Sequence, residues 1–195
     1  MRANCQVTPS QEDQSSPVVT DMKSSYGYLP PSLRRLPVRQ GERPLINPRY
    51  PCLQDNHWAP PRIREQFLRW LAKLEGVSLE SSDLPPAAQA LVLAEHLAKG
   101  KPEAFIRGKT FAIVRADGSV HLLLEPAWGQ KVLDKGWGSV HPLARYMAGA
   151  IPPQSLILYA PRDQRDLAVL RRIILAAYSF ACGRIGTQIL PDTAW

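Results

Sequence analysis

The stretch Thr110-Phe111-Ala112-Ile113-Val114-Arg115-Ala116-Asp117-Gly118-Ser119-Val120-His121-Leu122-Leu123-Leu124 decides the fold. Two mainly apolar runs flank Asp117-Gly118, a dipeptide that tolerates the positive φ values of a tight hairpin turn. Read as a two-residue turn, it pairs Ala116 with Ser119, Val114 with His121, Ala112 with Leu123 and Phe111 with Leu124. Side chains alternate between the faces of a strand, so this register gathers Phe111, Ile113, Val120, Leu122 and Leu124 on the face that meets the helices. Ala112, Val114, Ser119, His121 and Leu123 then share the other, shallower and more polar face, where a ligand has room to lie against the sheet.

Downstream of the hairpin, Pro126 to Lys135 reads as a short helix closed by Gly136, and Trp137 to Pro142 as an extended segment or turn. Ser155-Leu156-Ile157-Leu158-Tyr159-Ala160 is a continuous apolar run, the pattern of an interior strand. Asp163 followed by Asp166 is a capping pattern for a helix whose buried stripe is Leu167, Leu170, Ile174, Ala177 and Phe180. Upstream, Ile63, Phe67, Leu71 and Leu74 recur at helical spacing, and Val77-Ser78-Leu79-Glu80 alternates as a short edge strand. Asp83 ahead of Pro85 and Pro86 signals a helix running to about Ala98, with Leu91, Ala94 and Ala98 on one face. The sum is an α+β fold over residues 62–183: a small two-layer domain, mainly antiparallel sheet, with helices packed on one face.

Residues 1–25 are rich in Ser, Thr, Gln and Asp and carry too few apolar anchors to offset chain entropy, which predicts a disordered tail. Residues 26–61 contain Pro30, Pro31, Pro37, Pro44, Pro48, Pro51, Pro60 and Pro61, which disfavour helix and predict a Pro-rich extended arm. Tyr26, Tyr28, Leu33, Leu36, Leu45, Ile46, Tyr50 and Trp58 are available to stitch that arm to the domain. Residues 184–195 read as a C-terminal tail.

The 195-residue chain carries a formal net charge of +7, with its cations scattered from Arg34 to Arg172 rather than gathered into one patch. That distribution fits a solvated basic surface better than a nucleic-acid footprint, because the aromatic residues do not interleave with the basic ones. Cys5, Cys52 and Cys182 are far apart and odd in number, and no CxxC pair occurs, so they suggest neither a disulfide framework nor a zinc site. With neither a signal-peptide core near the N-terminus nor an apolar run of membrane-spanning length, a cytoplasmic protein without a membrane partner is expected.

His121 and His141 are the first candidates for catalysis, since imidazole serves as acid or base near neutral pH. Tyr159 and Arg162 join them from the end of an apolar strand, a place where open sheets hold functional groups. Trp137, between two glycines, is a candidate wall for a flat ligand, and Arg107 and Glu125 supply charge beside the same sheet edge. Each has a structural alternative: a sheet histidine, a turn histidine anchoring Pro142, a Tyr hydroxyl tied to backbone, an Arg solvating a helix entrance, a Trp plugging the core. No metal site and no particular cofactor are called for. Gly108-Lys109-Thr110 imitates the end of a phosphate loop, but Glu103 stands where that loop needs Gly. Two functions from different classes stay open. One is a small-ligand-binding domain with acid/base or oxidoreductase-type chemistry at a shallow sheet-face pocket. The other is a non-enzymatic interaction module that engages a protein or nucleic acid through its basic surface and N-terminal arm.

The ordered set Glu103 to Ala112, Asp117 to Leu122, Gly136-Trp137-Gly138, His141-Pro142-Leu143-Ala144, Ile151-Pro152-Pro153, Tyr159-Ala160-Pro161-Arg162 and Ala176-Ala177-Tyr178 resembles the luciferase domain of bacterial and fungal proteins whose chemistry is uncharacterised. The similarity runs from about Pro60 to Gly183. This family is distinct from the flavin-dependent luciferases, whose barrels need a far longer chain. The resemblance implies a compact domain and retains histidines at 121 and 141. It also implies further histidines on the first hairpin strand, where this chain has Ile113 and Arg115, so no shared metal site is expected there.

Overall fold

The structure, a computed structural model, describes residues 29–82, 87–147 and 151–184. The tail expected over 1–25, Tyr26 and Tyr28, and all but Arg184 of the C-terminal tail lie outside the described residues. The elements in chain order are α1 (Pro31–Arg34), α2 (Pro61–Leu71), β1 (Val77–Ser81), β2 (Gln89–Leu93), β3 (Thr110–Val114), β4 (Val120–Leu123), α3 (Pro126–Asp134), β5 (Gly138–Val140), β6 (Ser155–Leu158) and α4 (Gln164–Ala181). The six strands form one sheet in the order β1-β2-β3-β4-β6-β5 with every neighbouring pair antiparallel, so the fold is α+β as read from the sequence.

The helix-facing side of the sheet is a continuous apolar core. Leu167, Leu170, Ile174, Ala177 and Phe180 of α4 are buried in it as their spacing requires, and Ile63, Phe67 and Leu71 of α2 join them. Asp163 caps α4, its carboxylate accepting the backbone N–H groups of Arg165 and Asp166. Glu125 does the same for α3, accepting from Ala127 and Trp128.

Three expectations are corrected. The helix over Asp83 to Ala98 is absent where described: Gln89–Leu93 is strand β2, paired with β1 on one side and β3 on the other. Its start signal at Asp83, Pro85 and Pro86 lies outside the described residues. Leu91 and Leu93 enter the core while Ala90 and Val92 join a small cluster on the opposite face, so the segment's period is two, and the open edges of β1 and β3 supply partners that a helix would have forfeited.

The hairpin register is also shifted by one residue. Ala112 pairs with Leu122, Ile113 with His121 and Val114 with Val120. The Arg115 N–H bonds Ser119 O and the Gly118 N–H bonds Arg115 O, which makes a three-residue loop of Ala116, Asp117 and Gly118, with Gly118 at φ 86. The slip exchanges the faces of β3 alone. Ala112 and Val114 point to the helices beside Val120, Leu122 and Leu124, whereas Ile113 lies on the far face with His121. Phe111 still reaches the helices, meeting Tyr178 edge-on, because β3 bulges where Leu91 pairs with Ala112 and Val92 with Thr110.

The arm is the third correction, in part. It contains a helical turn, α1, because Pro31 sits at the first helical position where its missing N–H costs nothing. Arg172 of α4 closes the end of that turn by donating to Ser32 O and Arg35 O. Leu29, Leu33 and Leu36 are buried in the core, but Leu45, Tyr50 and Trp58 are more than half exposed. The first half of the arm is anchored by three leucines, whereas the second half buries only the small apolar side chains of Cys52 and Ala59.

Candidate functional site

His121 reaches its position from the middle of β4, on the face turned away from the helices, opposite Ile113 on one side and Ile157 on the other. His141 follows β5 and is held by its backbone N–H to Ser155 O at 2.9 Å. Because β6 lies between β4 and β5, these two pairings bring the rings together across it: their centroids are 4.7 Å apart and their planes are tilted by 49°. Both residues are only 4% exposed. Both residues are therefore almost wholly screened from solvent.

Arg115 completes the group. Its Nη2 lies 3.2 Å from His141 Nε2, and its Nη1 donates to the backbone carbonyl of Cys52 at 2.5 Å. Among the described residues no carboxylate comes within ion-pair distance of this guanidinium, and burial pushes its pKa down while Asp117 pulls it back up. Burial, then His141, then Arg115 hold His121 well below the ordinary imidazole range. Burial followed by Arg115 brings His141 to about 4. Both shifts favour the neutral ring. Among the described residues His121 Nε2 is buried with no hydrogen-bond partner, as are the hydroxyls of Ser139 and Ser155. The hydrogen bonds on His141 conflict: its Nδ1 faces the Leu143 N–H at 3.2 Å and its Nε2 faces a guanidinium, two donors against a neutral ring with one lone pair.

The remaining candidates do not converge on the histidines. Tyr159, Trp137 and Arg162 gather around Arg39 of the arm. The Arg39 guanidinium carbon lies 5.3 Å from the Tyr159 ring centre and 6.0 Å from that of Trp137. Trp137 is 3% exposed and its Nε1–H donates to Pro37 O at 2.7 Å, so it binds the arm to the core. Arg162 forks onto Asp166 at 2.7 and 3.2 Å. Burial drives the Asp166 carboxyl up, and the bonds from Arg162 overcome this and leave it below its ordinary value. Arg107 is exposed in the turn before β3, where its carbonyl accepts the Thr110 N–H, and the Glu125 carboxylate is engaged at the start of α3. Reading the sequence passed over Arg115, Cys52, Gln54 and Asp117 as partners of the site. A guanidinium at the end of an otherwise apolar strand was the available signal for the first of these. Among the described residues, no group of three or more His, Cys, Asp or Glu is placed to hold a metal ion, and no helix is long and apolar enough to cross a membrane.

Residues 108–177 match the family model of the Luciferase domain, a span that contains Arg115, His121 and His141. The chain is 39% identical over 64 residues to proteins named luciferase from Armillaria gallica and Armillaria mellea, and 38% identical over 64 residues to one from Neonothopanus nambi. Each alignment covers 33% of this chain and 24% of the relative, so the chain spans about a quarter of the length of the curated relatives it matches. No solved structure matches it.

Proposed function

We propose that this domain binds a small molecule against the His121 and His141 pair and moves a proton at that ligand, with neutral imidazole as the base. The observation that carries the reading is His121 Nε2, a buried ring nitrogen without a partner, beside a second neutral histidine and a buried guanidinium. Leaving such an atom unpaired costs on the order of 1–3 kcal/mol, and ligand sites are places where that cost is recovered. A proton leaving an O–H or C–H group of the ligand goes to the imidazole lone pair, and Arg115 stands ready to stabilise the anion that results. The residues here supply an acid/base step. Docking through the arm has less support, because Leu29, Leu33 and Leu36 are already buried in this chain's own core.

The test is a thermal-shift screen of flavins, nicotinamides, divalent metals and small organic acids on wild type, His121→Gln and His141→Gln. Both variants should keep stability within about 1 kcal/mol and lose the ligand response of the wild type. Full response in both variants, or unfolding of either, would return the pair to a purely structural role.

A further inference from the structure

The second half of the arm reaches the histidine pair through Arg115, which donates to the Cys52 carbonyl and faces the His141 ring. Residues 45–56 are folded on themselves. The Asn47 N–H bonds Leu53 O, the Asp55 N–H bonds Leu45 O, the Leu45 N–H bonds Asn56 Oδ1, and Ile46 bridges to Gln54. Their large apolar side chains face outward: Tyr50 and Trp58 line an open cleft of about 430 Å³ rather than the core.

Cys52 and Ala59 are the buried apolar side chains of this segment, and the bonds that fasten it to the sheet are polar. Asp117 accepts the Gln54 and Ala59 N–H groups, one through its carboxylate and one through its carbonyl. Gln54 Oε1 accepts the Ala160 N–H at 2.7 Å, and Arg115 holds the Cys52 carbonyl. Two non-glycine residues of the segment, Cys52 at φ 58 and His57 at φ 56, have left-handed backbones that L residues adopt only under restraint. Segments with little apolar burial and a handful of polar fastenings open before the core does.

We infer that residues 45–59 are a hinged cover over the histidine pair, latched by Arg115, whose two nitrogens join the Cys52 carbonyl of the cover to the His141 ring. Gly41 and Pro60-Pro61 bound the segment on either side. Lifting it releases Arg115 from Cys52 and opens the face that carries His121 Nε2. Arg115 is a positioning residue: it tells the ring whether the cover is seated. The inference rests on the histidine pair being the ligand site, but its test needs no ligand.

Native-state hydrogen exchange on the full chain reads the cover directly. The Gln54, Ala59 and Ala160 amides report seating, and the ladder amides of β4 and β6 report the core. The cover amides should exchange about tenfold or more faster than the ladder amides. Arg115→Met, and Gln54→Ala as a second variant, should speed the cover amides again and leave the ladder unchanged. In Arg115→Met the His141 ring should also titrate closer to an ordinary histidine, a change that mere loosening elsewhere would not produce. Cover and ladder amides exchanging at one common rate, in the wild type or in both variants, would overturn the inference. A ligand screen without hits alongside separate cover exchange would instead remove the proposed function and leave the cover standing.

Discussion

The carboxylate of Asp117 accepts the backbone N–H of Gln54 at 2.6 Å, joining the hairpin tip to a residue 63 positions earlier in the chain. The same carboxylate accepts both the N–H and the hydroxyl of Ser119, and Asp117 is completely buried. Replacing it leaves three buried donors without their acceptor. Asp117→Ala should therefore cost about 3–5 kcal/mol in urea denaturation, with Asp117→Asn intermediate because it keeps one acceptor oxygen. A loss below about 1 kcal/mol for Asp117→Ala would show that the tip bonds are replaced by water.

Acid should destabilise the fold through the histidines. Their native pKa values lie below the unfolded value, so their contribution is complete above about pH 6.5 and is lost as the pH falls. For His141, native value about 4, the loss amounts to about 3 kcal/mol by the time the native ring itself protonates. His121 adds to it in the same direction. The denaturation midpoint of the wild type should drop between pH 7 and pH 4.5, and His141→Gln should flatten that dependence.

The hairpin register makes a further claim. Leu122 lies in the core and Ser119 is wholly buried against Asp117, so Leu122→Asp and Ser119→Asp should each cost several kcal/mol, about 3 or more. Circular dichroism melts of the two variants check whether the face that carries Ser119 is as closed as the helix-facing side.

Trp137→Phe keeps the ring and removes its hydrogen bond to Pro37 O, which should cost about 1–2 kcal/mol and raise amide exchange at Arg39. Equal exchange in the variant would show that the arm is held at this point by packing alone.

Truncation tests the arm as a whole. A chain starting at Arg62 loses Leu29, Leu33 and Leu36 from the core and should show no cooperative urea transition, whereas a chain starting at Leu29 should retain one.

Much of the layer architecture was legible because it depends on local patterns. The stripe of α4, the cap at Asp163 and the short helix after Pro126 follow from period and chemistry that no distant contact overrides. The register of β3 against β4 was not legible, since Asp-Gly serves a two-residue turn and a three-residue loop ending in Gly equally well, and only packing decides between them. Gln89 to Leu93 failed for a related reason. Leu91, Ala94 and Ala98 satisfy a helical stripe on paper, and the unpaired edges of β1 and β3 convert the segment to strand. The meeting of His121 and His141 depends on β6 inserting between β4 and β5, an order that no spacing reveals. Arg115 drew notice only as a departure from a family pattern.

His141 owns one ring hydrogen at neutral pH, and two donors contend for its single lone pair. With the hydrogen on Nδ1, the ring accepts from Arg115 and the turn at Leu143 is left slack. With the hydrogen on Nε2, Leu143 is drawn in and the guanidinium is pushed off. The two tautomers therefore fasten different seams of the molecule, and a shift of one hydrogen across one imidazole trades the tightness of the Pro142–Arg145 turn against that of the Cys52 carbonyl. A partner that offers Arg115 Nη2 an acceptor in place of the ring ends the contest, leaving the ring free to settle on Leu143.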